Sequence, residues 1–272
     1  MLNSVLCERD RLTIIVTNDD GVQAEGLWAL ATELSKIAEV VIVAPDRDQS
    51  GTGASVTMRH PLRMTRIHSS PEVIAAYSVE GTPADSVILA INSVLKNRKV
   101  DLVVSGINEG PNLGDDVFIS GTVGAALQGY FYGIPSIALS IAAFGALRFE
   151  AAARLARILA SAIMRSSFNC RLLLNINLPN LPLYALKGIE ITKLGERKYV
   201  DRIEPGYDGK REYHWIMRGE SKWHIIPGTD IWALEQDKIS ITPFPTDIDK
   251  VNQEFLQKLI SQVFNALQSE SV

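Results

Sequence analysis

Two adjacent carboxylates, Asp19 and Asp20, follow the apolar run Leu12 to Thr17 within the segment Asn18-Asp19-Asp20-Gly21. Like charges held at one strand end repel unless a cation or hydrogen bonds neutralise them. On a regular strand the two would face opposite ways, so both can serve one site only where the chain turns, and Gly21 makes a turn plausible. Taken alone, the pair also reads as a capping Asp and a turn Asp before a helix. Oxygen-rich segments after other apolar runs tip the balance toward a shared site. Asp46-Arg47-Asp48-Gln49-Ser50-Gly51 is one, and Ser105-Gly106-Ile107-Asn108 opens a stretch running through Asp115 and Asp116 to Ser120-Gly121-Thr122. The candidate metal donors, Asp19, Asp20, Ser50 and the amide of Asn108, are all oxygens, a set that favours Mg²⁺ or Mn²⁺ over zinc. The histidines, His60, His68, His214 and His224, have no zinc-type spacing.

The long stretch carries glycines at 106, 110, 114 and 121 and amides at Asn108 and Asn112. Glycines let backbone N–H groups close on an anion. Ser120-Gly121-Thr122 precedes a helix, where free N–H groups and the dipole attract phosphate. Ser105, Gly106, Asn112, Ser120, Gly121 and Thr122 are therefore the candidate phosphate contacts. A plain Gly/Asn surface loop with an ordinary helix cap is the alternative, but loops this long in compact domains are usually functional or disordered. Asp85, Asp115 and Asp116 suit capping or loop orientation. Other chemistries are excluded: the first turn carries acids where a dinucleotide fold needs glycines, and a Walker A motif is absent. Neither Cys7 nor Cys170 lies in an anion-binding loop, and no Gly-x-Ser-x-Gly elbow occurs.

Positioning these residues requires alternating strands and helices. Leu12–Thr17 and Val40–Ala44 read as buried strands around a helix at Ala24–Ile37. Helices at Ala84–Leu95, Val123–Tyr130 and Glu150–Met164 alternate with strands at Asp101–Ser105, Ser136–Ser140 and Leu172–Ile176. The pattern predicts a Rossmann-like, three-layer α/β core with a mostly parallel sheet, whose ligands bind at the carboxyl ends of the strands. After about Thr192 the composition turns polar and aromatic. Pro205, Gly206, Asp208 and Gly209 predict a turn between Tyr199-Val200 and Tyr213–Ile216, a projecting β-hairpin. A strand at Ile239–Thr242 and an amphipathic helix at Asp249–Leu267 follow. The expected division is 1–192 as catalytic core, 193–236 as hairpin region and 237–272 as C-terminal strand and helix. The last two are places where partner subunits could pack, although a helix folding back on its own sheet is equally ordinary.

The chain has 272 residues, 46% hydrophobic and 21% charged, the balance of a globular protein. A formal net charge of −4 suggests no general affinity for polymeric nucleic acid or anionic membranes, so local groups must attract any phosphorylated ligand. Two cysteines without paired spacing suit a reducing compartment. Met1 to Arg11 lacks the apolar core of a signal peptide, and the apolar region Ile134–Leu147 is too short and broken to span a bilayer. Cytoplasmic localisation is the expectation.

The chain resembles the SurE family of survival-type 5′/3′-nucleotidases. The resemblance rests on Thr-Asn-Asp-Asp-Gly at 17–21, Ala-Pro-Asp-Arg at 44–47 with Gln-Ser-Gly at 49–51, and Gly-Thr-Pro-Ala-Asp at 81–85. The block Ser-Gly-Ile-Asn-Glu-Gly-Pro-Asn-Leu-Gly-Asp-Asp at 105–116 with Ser-Gly-Thr-Val at 120–123 is its most specific part. Later echoes are Asn-Ile-Asn-Leu-Pro at 175–179, Thr-Asp-Ile-Trp-Ala at 229–233 and Ile-Ser-Ile-Thr-Pro at 239–243. The resemblance implies one divalent metal ion per subunit, Mg²⁺ or Mn²⁺, held by Asp19, Asp20, Ser50 and Asn108. It implies hydrolysis of nucleoside monophosphates, in some members of short polyphosphate too, and a homodimer or homotetramer exchanging the hairpin and C-terminal segment. Gly51-Thr52-Gly53 departs from the usual small/Asn pattern beside Ser50, and Gln236-Asp237-Lys238 stands where a Gly is typical. In the expected mechanism the metal neutralises phosphoryl oxygens, and Asp19 or Asp20 serves as general base. A non-catalytic metal-and-nucleotide sensor is the rival. An aspartyl-phosphate route would need Asp-x-Asp spacing rather than neighbours.

Overall fold

The structure is a computed structural model that describes residues 12–143, 146–165, 171–198, 201–218, 222–244 and 253–269. The expectations for Met1–Arg11, Gly145, Cys170, Tyr199-Val200, Pro245 and Asp249–Asn252 lie outside the described residues. In chain order the elements are β1 (Thr13–Thr17), α1 (Glu25–Leu34), β2 (Glu39–Pro45), β3 (Met64–Ile67), β4 (Ala75–Val79), α2 (Pro83–Leu89) and β5 (Leu102–Glu109). Next come α3 (Gly121–Phe131), β6 (Ser136–Ala142), α4 (Phe149–Arg165), β7 (Leu173–Pro179) and β8 (Ile189–Ile191). The chain continues with β9 (Arg197–Lys198), β10 (Asp201–Tyr207), β11 (Glu212–Arg218), β12 (Lys222–Trp223), α5 (Asp230–Glu235), β13 (Ile239–Pro243) and α6 (Gln253–Ser269).

Nine strands form the main sheet in the order β3-β4-β2-β1-β5-β6-β7-β13-β8. From β4 to β7 every pairing is parallel, while β3 and β13 run antiparallel to their neighbours β4 and β7. Strand pleating explains the three layers. Ile14, Val16, Val40 and Ile42 enter a core with α1, α4 and α6, whereas Ile15, Val41 and Val43 face Val87 of α2 and Ala125 of α3. Such strands are buried on both faces and therefore read as unbroken apolar runs. Each fully buried Ile or Leu contributes about 1.5–3 kcal/mol relative to exposure. The predicted α/β core is thus the observed one, with the hairpin as a separate two-stranded sheet of β10 and β11.

Four local features differ from the expectation or sharpen it. Gly106 to Glu109 is strand rather than loop: β5 keeps pairing with β6 past a register shift between Ser105 and Asn108. The hairpin turn falls at Asp208–Arg211, and Pro205 and Gly206 are strand residues paired with His214 and Tyr213. Asp208 Oδ1 accepts from the N–H groups of Lys210 and Arg211, both at 2.8 Å, so its side chain closes the turn. A two-stranded ribbon has open edges, which tolerate the missing N–H of Pro205. Strands β3 and β4 occupy a stretch for which no element was read; β3 is a short, largely exposed edge strand without a buried pattern. Finally, Asp237 adopts φ 57° after α5, the left-handed conformation that usually selects Gly. Its N–H donates to Leu234 O at 3.0 Å, and Lys187 Nζ lies 2.8 Å from its carboxylate. The turn that Gly would make is made by Asp instead.

β13 lies inside the main sheet between β7 and β8, and Ile231 and Ala233 of α5 are buried. α6 lies along α4 of its own chain, with Leu259 and Val263 beside Ile158 and Ala162. Among the described residues no helix is long and apolar enough to cross a membrane.

Candidate active site

Strand order reverses its direction between β1 and β5: β2 follows β1 on one side, and β5 starts the other half. Crossovers leave this point in opposite directions, which opens a crevice beyond the carboxyl ends of the two strands. Asp19 and Asp20 follow β1, and Asn108 lies near the end of β5. The site is thus a product of topology first and side chains second.

Asp19 is buried and points at the start of α3. Thr122 donates both its hydroxyl and its backbone N–H to the Asp19 carboxylate. Contact is close because Gly121 has no side chain: a Cβ there would stand 2.7 Å from Asp19 Cβ and 2.9 Å from Oδ2. Asp20 lies against β5, where a hydrogen bond from the Glu109 backbone favours its charged form, and the Asp19 charge is close enough to act on it. The turn directly after them depends on Gly21, with φ 100° and a Cβ position 3.0 Å from the Arg47 carbonyl carbon. A side chain at 21 would be strained and would strike the β2 loop. The adjacent acids are thus held by different neighbouring elements, Asp19 by α3 and Asp20 by β5.

The β2 loop closes over them. Gln49 N–H donates to Asp19 O at 2.8 Å, and Gly53 N–H to Ile119 O at 2.9 Å, which pins the loop between β1 and α3. Ser50 is exposed beside Asp48, whose Oδ1 accepts from Ser50 N at 2.7 Å and from Ser50 Oγ at 2.6 Å. Asn108 is nearly buried, and its Nδ2 donates to Gly110 O at 2.7 Å, which fixes the amide.

Burial is the main cause of unusual acidity here. It pushes the Asp19 carboxyl up against the hydrogen bonds from Thr122, with Asp48 adding to the rise. For Asp20, burial and then the charges of Asp19, Glu109 and Asp48 push the pKa up to about 7. Asp20 Oδ2 is buried and has no hydrogen-bond partner among the described residues; nor do Thr17 Oγ1, Asn18 Oδ1 and Ser105 Oγ at the same strand ends. Buried polar atoms are normally paired, so an orphaned carboxylate oxygen between like charges fits a cation. The donor chemistry fits a hard one. Among the described residues no three His, Cys, Asp or Glu side chains gather around a metal position, so hydroxyl and amide oxygens would have to complete a shell begun by Asp19 and Asp20.

Of the residues singled out as phosphate contacts, most already serve the fold. Asn112 is a hub: its N–H donates to Asn177 Oδ1 at 2.8 Å, its Nδ2 to Ser140 Oγ at 2.8 Å, and its carbonyl accepts from Asn175 and Asn177. Ser120 caps α3, its Oγ accepting from Val123 N at 3.2 Å. Ser105 is fully buried within β5, and a Cβ on Gly106 would meet Leu139 O at 2.4 Å. Asp85 forms a capping box with Thr82 and also accepts from Thr57 N at 2.9 Å, the capping role expected of it. Two residues were missed. Asp48 accepts both polar hydrogens of Ser50 and its charge acts on Asp19 and Asp20, and its sequence cluster was the signal. Buried Asp230 accepts from Gly114 N at 2.8 Å and Gly195 N at 2.7 Å, anchoring the 110–118 segment from far along the chain. Only its place in Thr-Asp-Ile-Trp-Ala hinted at a role.

Fold and site together define an α/β protein of the class that binds its ligands at a topological switch point, here beside an adjacent pair of carboxylates. A family profile described as Survival protein SurE matches residues 14–201. The chain belongs to the SurE family. It is 46% identical over 233 residues to a protein named 5'-nucleotidase SurE from Dehalococcoides mccartyi, covering 85% of this chain and 88% of that one. A relative of the same name from Vibrio parahaemolyticus is 44% identical over 238 residues, covering 87% and 90%. The crystal structure of SurE protein from Aquifex aeolicus superposes with a TM-score of 0.73 at 39% identity, covering 90% of this chain and 97% of that chain.

Proposed function

We propose that this chain is a phosphoric monoester hydrolase that converts nucleoside 5′-monophosphates to nucleoside and phosphate, using one divalent metal ion per subunit, Mg²⁺ or Mn²⁺. The names of its relatives support the nucleotidase reading. The observation that carries the metal reading is the Asp19–Asp20 pair, close enough for each charge to act on the other and with one buried Asp20 carboxylate oxygen left unpaired. Asp19, Asp20, Ser50 and Asn108 would hold the ion, which supplies Lewis-acid neutralisation of phosphoryl oxygens and a lowered pKa for attacking water. The chain's own residues then divide the remaining work. Asp19 or Asp20 accepts the proton of the attacking water. Thr122 keeps the Asp19 carboxylate aligned, and the Glu109 N–H does the same for Asp20. Gly121 leaves room for the Asp19 side chain, while Ser105, Gly106, Asn112 and Ser120 hold the backbone that shapes the cradle. Cleavage of 3′-monophosphates and of short polyphosphate is the wider range included in this reading, as are a homodimer or homotetramer and a cytoplasmic setting.

The test is phosphate release from each nucleoside monophosphate with Mn²⁺, Mg²⁺ or EDTA. Release with metal and none with EDTA is expected, and Asp19→Asn or Asp20→Asn should lower kcat by about 10³-fold or more. Metal at 100 times its Kd should also stabilise the protein by about 2.7 kcal/mol in denaturant titrations. Stabilisation by metal without turnover of any phosphomonoester would make the protein a sensor instead. A trapped phospho-Asp would replace the water-attack route with a covalent one.

A further inference from the structure

We propose that Arg47 grips the phosphoryl group of the substrate, as the cation that the chain itself contributes to an acidic rim; the proposal rests on the phosphatase reading above. The segments that build the crevice, 17–22, 45–51 and 105–110, carry Asp19, Asp20, Asp46, Asp48 and Glu109 and a single basic residue, Arg47. One divalent ion leaves this rim negative, and a phosphomonoester dianion approaching it meets net repulsion. Local positive charge is needed, since the chain as a whole carries −4.

Geometry places Arg47 where it can act. The Arg47 Cα lies 3.2 Å from the Cβ position of Gly21, the residue after Asp20. With one more Cα–Cα step of about 3.8 Å, its backbone stands within about 9 Å of that of Asp20. The guanidinium is not committed elsewhere in a strong pair: its side chain is 74% exposed, and its contact to Asp46 Oδ2 is 3.8 Å long. Exposed ion pairs of that length contribute little and are given up easily. A planar fork of N–H donors matches two phosphoryl oxygens at once, which an ammonium cannot do.

The experiment uses the full chain loaded with Mn²⁺ and compares wild type with Arg47→Ala, Arg47→Lys and the Asp46→Asn/Arg47→Ala double variant. Four quantities are measured: KM and kcat for AMP, Ki for inorganic phosphate, and Mn²⁺ affinity by calorimetry. Arg47→Ala should raise KM and phosphate Ki about tenfold or more together, with Mn²⁺ affinity unchanged, and Arg47→Lys should recover only part. KM and Ki within twofold of wild type in Arg47→Ala would overturn the proposal. So would a lost Mn²⁺ affinity, or a double variant restored to wild-type KM, which would reduce Arg47 to neutralising Asp46. If the wild type releases phosphate from no monophosphate, the parent reading falls, and the calorimetric affinity for inorganic phosphate alone then decides the Arg47 contact.

Discussion

Asp19 owes its position to a residue more than a hundred places away. The Asp19 side chain fills the space where a Gly121 Cβ would stand, and Thr122 supplies its hydrogen bonds. Gly121→Ala inserts a methyl 2.7 Å from Asp19 Cβ, so either the acid or the start of α3 must shift. Overpacking of this kind costs about 1–3 kcal/mol. The variant should fold, lose that much stability in urea titrations, and show Mn²⁺ affinity and kcat each reduced at least about tenfold. A Gly121→Ala protein with wild-type metal affinity would show that Asp19 does not need this contact. Asp230 works at the same scale by a different route, accepting from the N–H groups of Gly114, Gly195 and Ile231.

Between elements, the α1–α4 contact carries an ionic tie that can be read through pH. Arg157 Nε lies 2.8 Å from Glu33 Oε1, and Lys36 pairs with the other carboxylate oxygen. Burial works against the Glu33 charge, but the bonds from Lys36 and Arg157 outweigh it and hold its carboxyl below the ordinary glutamate value. A carboxyl with a depressed folded-state pKa adds stability above its unfolded pKa and loses it as pH falls through the folded value. Both partners remain partly solvated, so the contribution is at most about 1 kcal/mol. Glu33→Gln should therefore cost up to that amount near neutral pH and nothing once the medium is acid enough to protonate Glu33 in the folded state, flattening the acid side of the stability profile in urea titrations. Equal profiles for the two proteins would remove Glu33 from the tie.

Across the whole molecule, the hairpin has apolar surface with no partner in its own fold among the described residues. Trp215 is 64% exposed and Ile216 is 73% exposed, with Ile203, Tyr207 and Met217 exposed nearby on β10 and β11. Large apolar side chains exposed on both faces of a ribbon suit a contact with another chain, and the proposed homodimer or homotetramer is the occupant that needs no second protein. Light scattering should give a multiple of 29.9 kDa. The Trp215→Glu/Ile216→Glu double variant should shift that mass downward with the melting temperature of the core nearly unchanged. A wild-type mass of one chain would end the oligomer proposal.

Local pattern was enough to reveal the layered α/β core and the polar segments at its strand ends. Buried parallel strands announce themselves as apolar runs because both faces are covered. Turn chemistry after each strand marks the ligand rim in the same direct way. Tertiary structure alone decided the rest. Asp19 is held by α3 and Asp20 lies against β5, and no spacing rule encodes a neighbour reached by a crossover. The extension of β5 through Asn108 depends on a register shift against β6, which only the paired strand reveals. The hairpin turn narrowed from the cluster of Pro205, Gly206, Asp208 and Gly209 to Asp208–Arg211, where the Asp208 side chain accepts the N–H groups that close it. Asp230 and Asn112 gained their roles because buried backbone N–H and C=O groups must find partners, and the fold brought these side chains to them.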